Sequence, residues 1–163
     1  MSSSGGFGVV YRGHVRGSEV AIKIPRNALS DKQISDFTKE VAILSSVFHP
    51  NICLFLGAYV GAKEVIIVNE LMEGNVGDLL AQKDVRLSMT QKLRMNEDAA
   101  RGIAWLHGSN IYHRDVKPSN YLYKKLGEGK YQIKVCDFGL SDLRYERTRG
   151  SASIFFFSHP SLK

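Results

Sequence analysis

Residues 112–120 read YHRDVKPSN. Six polar or charged side chains and a proline crowd into nine positions, directly after the apolar, helix-like stretch DAARGIAWLH at 98–107. A solvated loop accounts for such a run. A catalytic loop accounts for it better, if the rest of the chain supplies the other parts. Asp115 and Asn120 lie five positions apart with Lys117 between them, so an acid, a cation and an amide can share one pocket.

Working outward, CDFG at 136–139 places Asp137 at a strand end, followed by Phe138 and a flexible glycine. Asn120 and Asp137 are two oxygen donors from separate segments. Such a set suits Mg2+, which takes few protein ligands beside phosphate and water oxygens. Toward the N-terminus, VAIK at 20–23 puts Lys23 on the same side of a strand as Ala21. A lysine there either extends its stem along apolar surface or is paired. Glu40, on the helix that follows, is an available partner. Burying such a pair costs desolvation, and an anion held by the lysine is its usual justification. SSGGFGVVY at 3–11 sets Gly5, Gly6 and Gly8 ahead of a strand. Glycine permits close backbone approach, so exposed N–H groups can face phosphate oxygens. A disordered glycine-rich start accounts for the same letters. In the same way His113 reads as a packed core histidine, Asp137 as a turn cap and Phe138 as core filling.

The 163 residues are enough for one modest domain or part of a larger one. Apolar residues make up 44% and charged residues 23%, which places the chain with globular rather than disordered proteins. Cys53 and Cys136 each sit in an apolar run, so buried free thiols in a reducing, cytoplasmic compartment are expected. The first eight residues lack the basic start and apolar core of a signal peptide, and no membrane segment is expected. The net charge is +6, but the basic residues interleave with acids, as in KDVR and RYERTR. No nucleic-acid partner is expected from that pattern, and the oligomeric state is left open.

Two strands are expected over 9–24, joined by a turn at 16–18. A helix follows over 31–47, capped by Ser30, with Ile34, Phe37, Val41 and Leu44 at helical spacing. His49, Pro50 and Asn51 break it. ICLFLGAYV and EVIIVNEL form a hairpin across 61–63, and Gly74 and Gly77 mark a loop. A second helix spans 88–108, opened by Ser88 or Thr90, and a hairpin crosses 127–129. Strands with one helix, then a helix-led second part, predict an α+β fold of two lobes.

Glycine loop, VAIK, helical Glu40, HRDVKPSN and DFG, in that order, resemble the signature set of the eukaryotic protein kinases from about residue 3 to about residue 143. HPNICLFLGA and ARGIAWLH look most like the tyrosine-kinase-like, Raf-like group, and Lys117 two residues after Asp115 resembles the serine/threonine type. The resemblance implies a small β-rich N-lobe over 1–72 and an incomplete helical C-lobe over 73–163. It implies ATP and Mg2+ as cofactors, and phosphoryl transfer to serine or threonine of a protein substrate. Gly5 and Gly8 would match the second and third loop glycines, with Phe7 at the tip. Val10 and Ala21 would cover one face of adenine and Leu122 the other, while Glu70 and Met72 would bond its edge through their backbones. Lys23, aligned by Glu40, would hold the α- and β-phosphates. Asp115 would take the substrate hydroxyl's proton, Lys117 would steady the γ-phosphate, and Asn120 and Asp137 would bind Mg2+.

The chain departs from that pattern at several positions. Ser3 stands at the first loop glycine, and the strand before it is expected to be missing. Asn69 occupies the position that usually carries an apolar residue or threonine, and Glu97 with Asn96 interrupts the apolar stripe of the second helix. Thr148, Ser151 and Ser153 lie in a segment like the start of an activation loop; they are either phosphorylation sites or ordinary loop hydroxyls. No APE motif is legible after them, so truncation at both ends is expected. The second helix should then show Leu93, Ala100, Ile103 and Leu106 to water. Each large apolar side chain left unburied forfeits roughly 1.5–3 kcal/mol, which predicts poor stability of this polypeptide alone. The alternative reading of the function is an inactive nucleotide- or partner-binding remnant.

Overall fold

The computed structural model describes residues 3–5, 8–27, 29–61, 65–137 and 142–143, with side chains at all of these except residues 3–5, Asp36, Glu40, Asp142 and Leu143. They divide into two compact units. One takes residues up to 46 together with 54–71, and the other takes 47–53 and the described residues from 72 onward.

The first unit is an antiparallel sheet with the order β1-β2-β3-β5-β4, from strands β1 (Ser3–Gly5), β2 (Gly8–Val15), β3 (Ser18–Ile24), β4 (Phe55–Val60) and β5 (Val65–Glu70). The β2–β3 turn is Arg16–Gly17, with φ of 50° and 82°. Positive φ at both central residues is the turn whose twist matches the flanking strands. The stretch expected as a glycine loop begins with strand β1, which pairs with β2 from Ser3↔Val10 to Gly5↔Gly8. Gly8 is required by packing: a Cβ there would lie 2.2 Å from the Ile24 carbonyl oxygen. Helix α1 (Asp31–Ser46) opens on a capping box. The Ser30 N–H donates to Gln33 Oε1 at 2.9 Å, and the Gln33 N–H donates to Ser30 Oγ at 3.4 Å. Its Phe37, Val41 and Leu44 are buried, at the expected spacing, on a helix packed against β4.

The second unit contains β6 (Gly74–Asn75), α2 (Val76–Ala81), α3 (Met89–Gly108), β7 (Ile111–Tyr112), a 3₁₀ turn (Pro118–Asn120), β8 (Tyr121–Lys125), β9 (Tyr131–Val135) and β10 (Asp142–Leu143). The loop expected around Gly74 and Gly77 is corrected. Gly74 and Asn75 pair with β8, and Asn75 caps α2 by accepting from the Asp78 N–H at 2.8 Å. The six-residue helix is too short for periodicity to reveal. Ser88 opens α3 with a full capping box to Gln91. The buried core joins Leu79, Met95, Tyr123 and Ile133.

The single strand expected from Ile52 onward is divided. Phe55–Val60 pairs with β5, whereas Ile52 bridges Val135 in parallel and the Cys53 N–H donates to the Val135 carbonyl at 2.9 Å. Residues 47–53, inside the range expected for the first lobe, therefore belong with the second unit. Two expectations for α3 are also corrected. Leu106 is fully buried and Ile103 partly so, while Leu93 and Ala100 are exposed as expected. Glu97 does not interrupt the buried stripe, which runs through Met95, Gly102 and Leu106; Glu97 is exposed and pairs with Arg101 at 2.6 Å.

Candidate active site

The loop after β7 is shaped by backbone conformations that side chains disfavour. Asn110 reverses the chain after α3 with φ 58°, and Arg114 adopts φ 63°. Such left-handed positions cost a non-glycine residue about 1–3 kcal/mol and persist only where surrounding contacts impose them. The imposing contact here is His113, which is 2% exposed. Its Nε2 lies 2.8 Å from the Cys136 carbonyl oxygen, which can only accept, so Nε2 carries the proton. Nδ1 is then the acceptor for the Asp115 N–H, at 3.3 Å. The core-histidine reading of His113 is correct, and the core it serves holds the loop.

Asp115, Lys117 and Asn120 come together as expected. Lys117 Nζ lies 2.6 Å from Asp115 Oδ2. Asn120 Nδ2 donates to the same Oδ2 at 2.9 Å and to the Asp115 carbonyl at 2.7 Å. Pro118 starts the 3₁₀ turn without needing an N–H, and the Asn120 N–H closes it on the Lys117 carbonyl at 2.9 Å. Asn120 is buried. With both of its amide hydrogens directed at Asp115, Oδ1 remains as its acceptor. The Lys117 hydrogen bond, then the Asn120 hydrogen bond, holds the Asp115 carboxyl below its ordinary 3.8. Both bonds fall on Oδ2, so among the described residues Oδ1 is the oxygen open to a further partner.

The backbone joins this loop to Asp137. The Cys136 N–H donates to the Asn120 carbonyl at 2.9 Å, and the Cys136 carbonyl accepts from His113. Asp137 follows with φ 64° and is exposed. Two oxygens of hard-donor type, the Asn120 amide and the Asp137 carboxylate, thus stem from adjoining backbone. That donor chemistry fits Mg2+. Phe138 lies outside the described residues.

In the first unit the register settles a sequence expectation. Val10 pairs with Lys23, and Ala21 lies two residues from Lys23, so all three share one face of the sheet. Asn69, paired with Ala21, shares it too. Glu70 brings a contact the sequence did not reveal: Oε1 accepts from the Leu54 N–H at 2.7 Å, and the Glu70 N–H donates to the Leu54 carbonyl at 2.9 Å. Of the other expected residues, Gly5 is described by its backbone alone, in β1, and Gly8 opens β2. Met72 and Leu122 are partly buried in the second unit. Phe7 and the Glu40 side chain, and with it the Lys23–Glu40 pair, lie outside the described residues. So do Thr148, Ser151 and Ser153.

A site residue missed in the sequence is Asp98, whose Oδ2 accepts from the Ile133 N–H at 3.0 Å and holds β9 against α3. Its only signal was an acid on the half-buried side of an amphipathic helix.

These elements are those of a protein kinase, and the comparison with known families agrees. The model for protein tyrosine and serine/threonine kinases matches residues 3–155, and the chain belongs to that family. It is 46% identical over 143 residues to the dual specificity protein kinase shkA of Dictyostelium discoideum, covering 86% of this chain and 26% of that protein. It is 43% identical over 148 residues to the dual specificity protein kinase shkC of the same organism, covering 88% of this chain and 28% of that one. It is 41% identical over 147 residues to the serine/threonine-protein kinase CTR1 of Arabidopsis thaliana, covering 86% of this chain and 17% of that one. The chain thus spans about a quarter of the length of the dual specificity relatives. Protein kinases generally use ATP and Mg2+. Among the described residues, no helix is long and apolar enough to cross a membrane.

Proposed function

We propose that this chain is the nucleotide-handling part of a protein kinase that transfers the γ-phosphoryl group of ATP to a serine or threonine hydroxyl of a protein. The observation that carries the reading is the Asp115–Lys117–Asn120 cluster, tied by the Cys136 N–H to the segment bearing Asp137. Phosphoryl transfer asks the protein for positioning and charge neutralisation rather than covalent chemistry. Asp115 orients the acceptor hydroxyl through Oδ1 and takes its proton as the hydroxyl oxygen bonds to the γ-phosphorus. The bond from that phosphorus to the β–γ bridging oxygen breaks, and ADP leaves. Lys117 neutralises charge beside Asp115. Bound Mg2+ would offset phosphate charge, with Asn120 Oδ1 and the Asp137 carboxylate as its protein oxygens. Lys23 holds the α- and β-phosphates, on the face where Val10 and Ala21 contact adenine. Glu70 and Met72 meet the adenine edge through their backbones, and Leu122 covers its other face.

The test is phosphate transfer from labelled ATP to serine, threonine and tyrosine peptides, by the full protein and by Asp115→Asn. Transfer to serine and threonine that drops at least about 100-fold in the variant, as for loss of a positioned proton acceptor, is expected. Activity surviving the change removes Asp115 from the role. Equal transfer to tyrosine would extend the acceptor range to that of the relatives named for dual specificity. Nucleotide binding without any transfer would favour the inactive-remnant reading.

A further inference from the structure

Asn51 lies far in sequence from every residue placed in the site, and nothing in the proposed chemistry uses it. It is nonetheless one of three buried polar or charged residues among those described, with His113 and Asn120. Its surroundings show what it holds. Strand β9 is an edge strand of the sheet β6-β8-β9. The outward groups of its last residues would be unpaired in an apolar setting, a costly arrangement. Each has a partner. The Ile133 N–H donates to Asp98 Oδ2 at 3.0 Å, and the Ile133 carbonyl accepts from Asn51 Nδ2 at 3.0 Å. The Val135 N–H donates to the Asn51 carbonyl at 2.8 Å, and the Val135 carbonyl accepts from the Cys53 N–H at 2.9 Å. Asn51 thus bonds β9 through both its side chain and its backbone, and its own N–H is tied to His49 Nδ1 at 3.1 Å.

The register of β9 against β8 is set by their ladder, from Tyr121↔Val135 to Lys125↔Tyr131, and two backbone bonds tie its outer edge to residues 51 and 53. The Asn51 side chain adds a third bond, to a residue two positions further back along β9. Gly102 of α3 closes over the same spot, where a Cβ would meet the Asn51 carbonyl oxygen and Val135 Cγ2 at 2.5 Å each. The registered strand then runs directly into Cys136, whose peptide bonds to Asn120 and His113, and into Asp137.

We infer that Asn51 is a positioning residue for phosphoryl transfer: by holding the outer edge of β9 at Ile133 and Val135 it sets where Asp137 would present its carboxylate to Mg2+. This rests on the kinase reading above, and it assigns to the HPN tripeptide at 49–51 a role beyond ending α1. Groups that orient a metal ligand change metal affinity by about 10–100-fold when removed. A residue that only adds stability leaves the affinity of the remaining folded molecules unchanged.

The experiment compares the full protein with Asn51→Ala, with Asn51→Ser as the milder variant should alanine fail to fold, and with Leu79→Ala. Leu79 is 1% exposed in the core cluster it shares with Ile133, and its truncation lowers stability without removing a hydrogen bond of β9's outer edge. Two quantities are read well below each melting temperature. Amide hydrogen exchange at Val135 and Cys136, without nucleotide, should speed up at least about 10-fold in the Asn51 variant. The Mg2+ concentration for half-maximal nucleotide binding should rise by about 10-fold, with Mg2+-free nucleotide affinity and the Leu79→Ala values unchanged. Unchanged exchange in the Asn51 variant overturns the inference. So does faster exchange with an unshifted Mg2+ requirement, or an equal shift in Leu79→Ala. A wild-type protein that binds nucleotide with no Mg2+ dependence overturns the kinase reading, and this inference with it, whatever the exchange shows.

Discussion

Single side chains set the chemistry of the loop at 113–120, and the direction of one titration shows how. Asp115 is held below its ordinary value of 3.8, first by its hydrogen bond from Lys117 and then by that from Asn120. A depressed carboxyl contributes stability that is present above the unfolded value and lost as pH falls through the lower folded one. Lys117→Ala should therefore move the Asp115 titration up toward 3.8, so that the stability contributed is smaller and its loss is complete at a higher pH. Carboxyl-carbon NMR titration reads this directly, and an unmoved midpoint would show that Lys117 does not control it. The residue types of this loop were legible in HRDVKPSN, as was their convergence. The tautomer of His113 was not, because it depends on the Cys136 carbonyl, 23 residues away.

Among the elements, α3 carries the second unit, and its two ends are anchored differently. At the start, Ser88 and Gln91 form a capping box, and Gln91 Nε2 also donates to the Gly129 carbonyl at 2.8 Å, holding the β8–β9 hairpin. Ser88→Ala should cost about 1 kcal/mol, the usual worth of such a cap, read as a lowered midpoint in urea with unchanged slope. Further along, Gly102 lets the helix approach residue 51 and β9. Gly102→Ala raises helix propensity by about 1 kcal/mol, yet its Cβ would sit 2.5 Å from a backbone oxygen that cannot swing aside. Overpacking of that kind costs about 1–3 kcal/mol, so net destabilisation is expected; a variant more stable than wild type would show that the approach relaxes freely. Helical period and cap were readable over 88–108. The buried stripe was misjudged at Leu106 because periodicity marks an apolar side without saying which neighbour covers it.

For the molecule as a whole, one unit carries the sheet face with Val10, Ala21 and Lys23, and the other carries the loop with Asp115 and Asn120. A ligand that binds only folded protein stabilises it by about 2.7 kcal/mol at 100 times its Kd. ATP with Mg2+ should raise the melting temperature, by roughly 2–4 °C per kcal/mol for a chain of this size. Lys23→Ala should remove most of that rise, measured against the variant's own unliganded melt. No rise at millimolar nucleotide would count against nucleotide binding altogether. The two-lobe α+β organisation was visible in the order of strands and helices. The passage of 47–53 into the second unit was not, since no local pattern separates Ile52, which pairs with Val135, from Phe55, which pairs with Asn69.

The sequence alone carried the resemblance to the family, the main strands and helices, and the candidate set Lys23, Asp115, Lys117, Asn120 and Asp137. Those features are local or ordered along the chain, and motif and period record them. Tertiary structure alone decided the partners of β9's outer edge, the bonds of Asn51 to Ile133 and Val135, the Glu70 bond to the Leu54 N–H, and the need for glycine at positions 8 and 102. Each depends on backbone groups brought together from distant segments, and a backbone N–H or carbonyl leaves no letter in the sequence to announce which partner it will take.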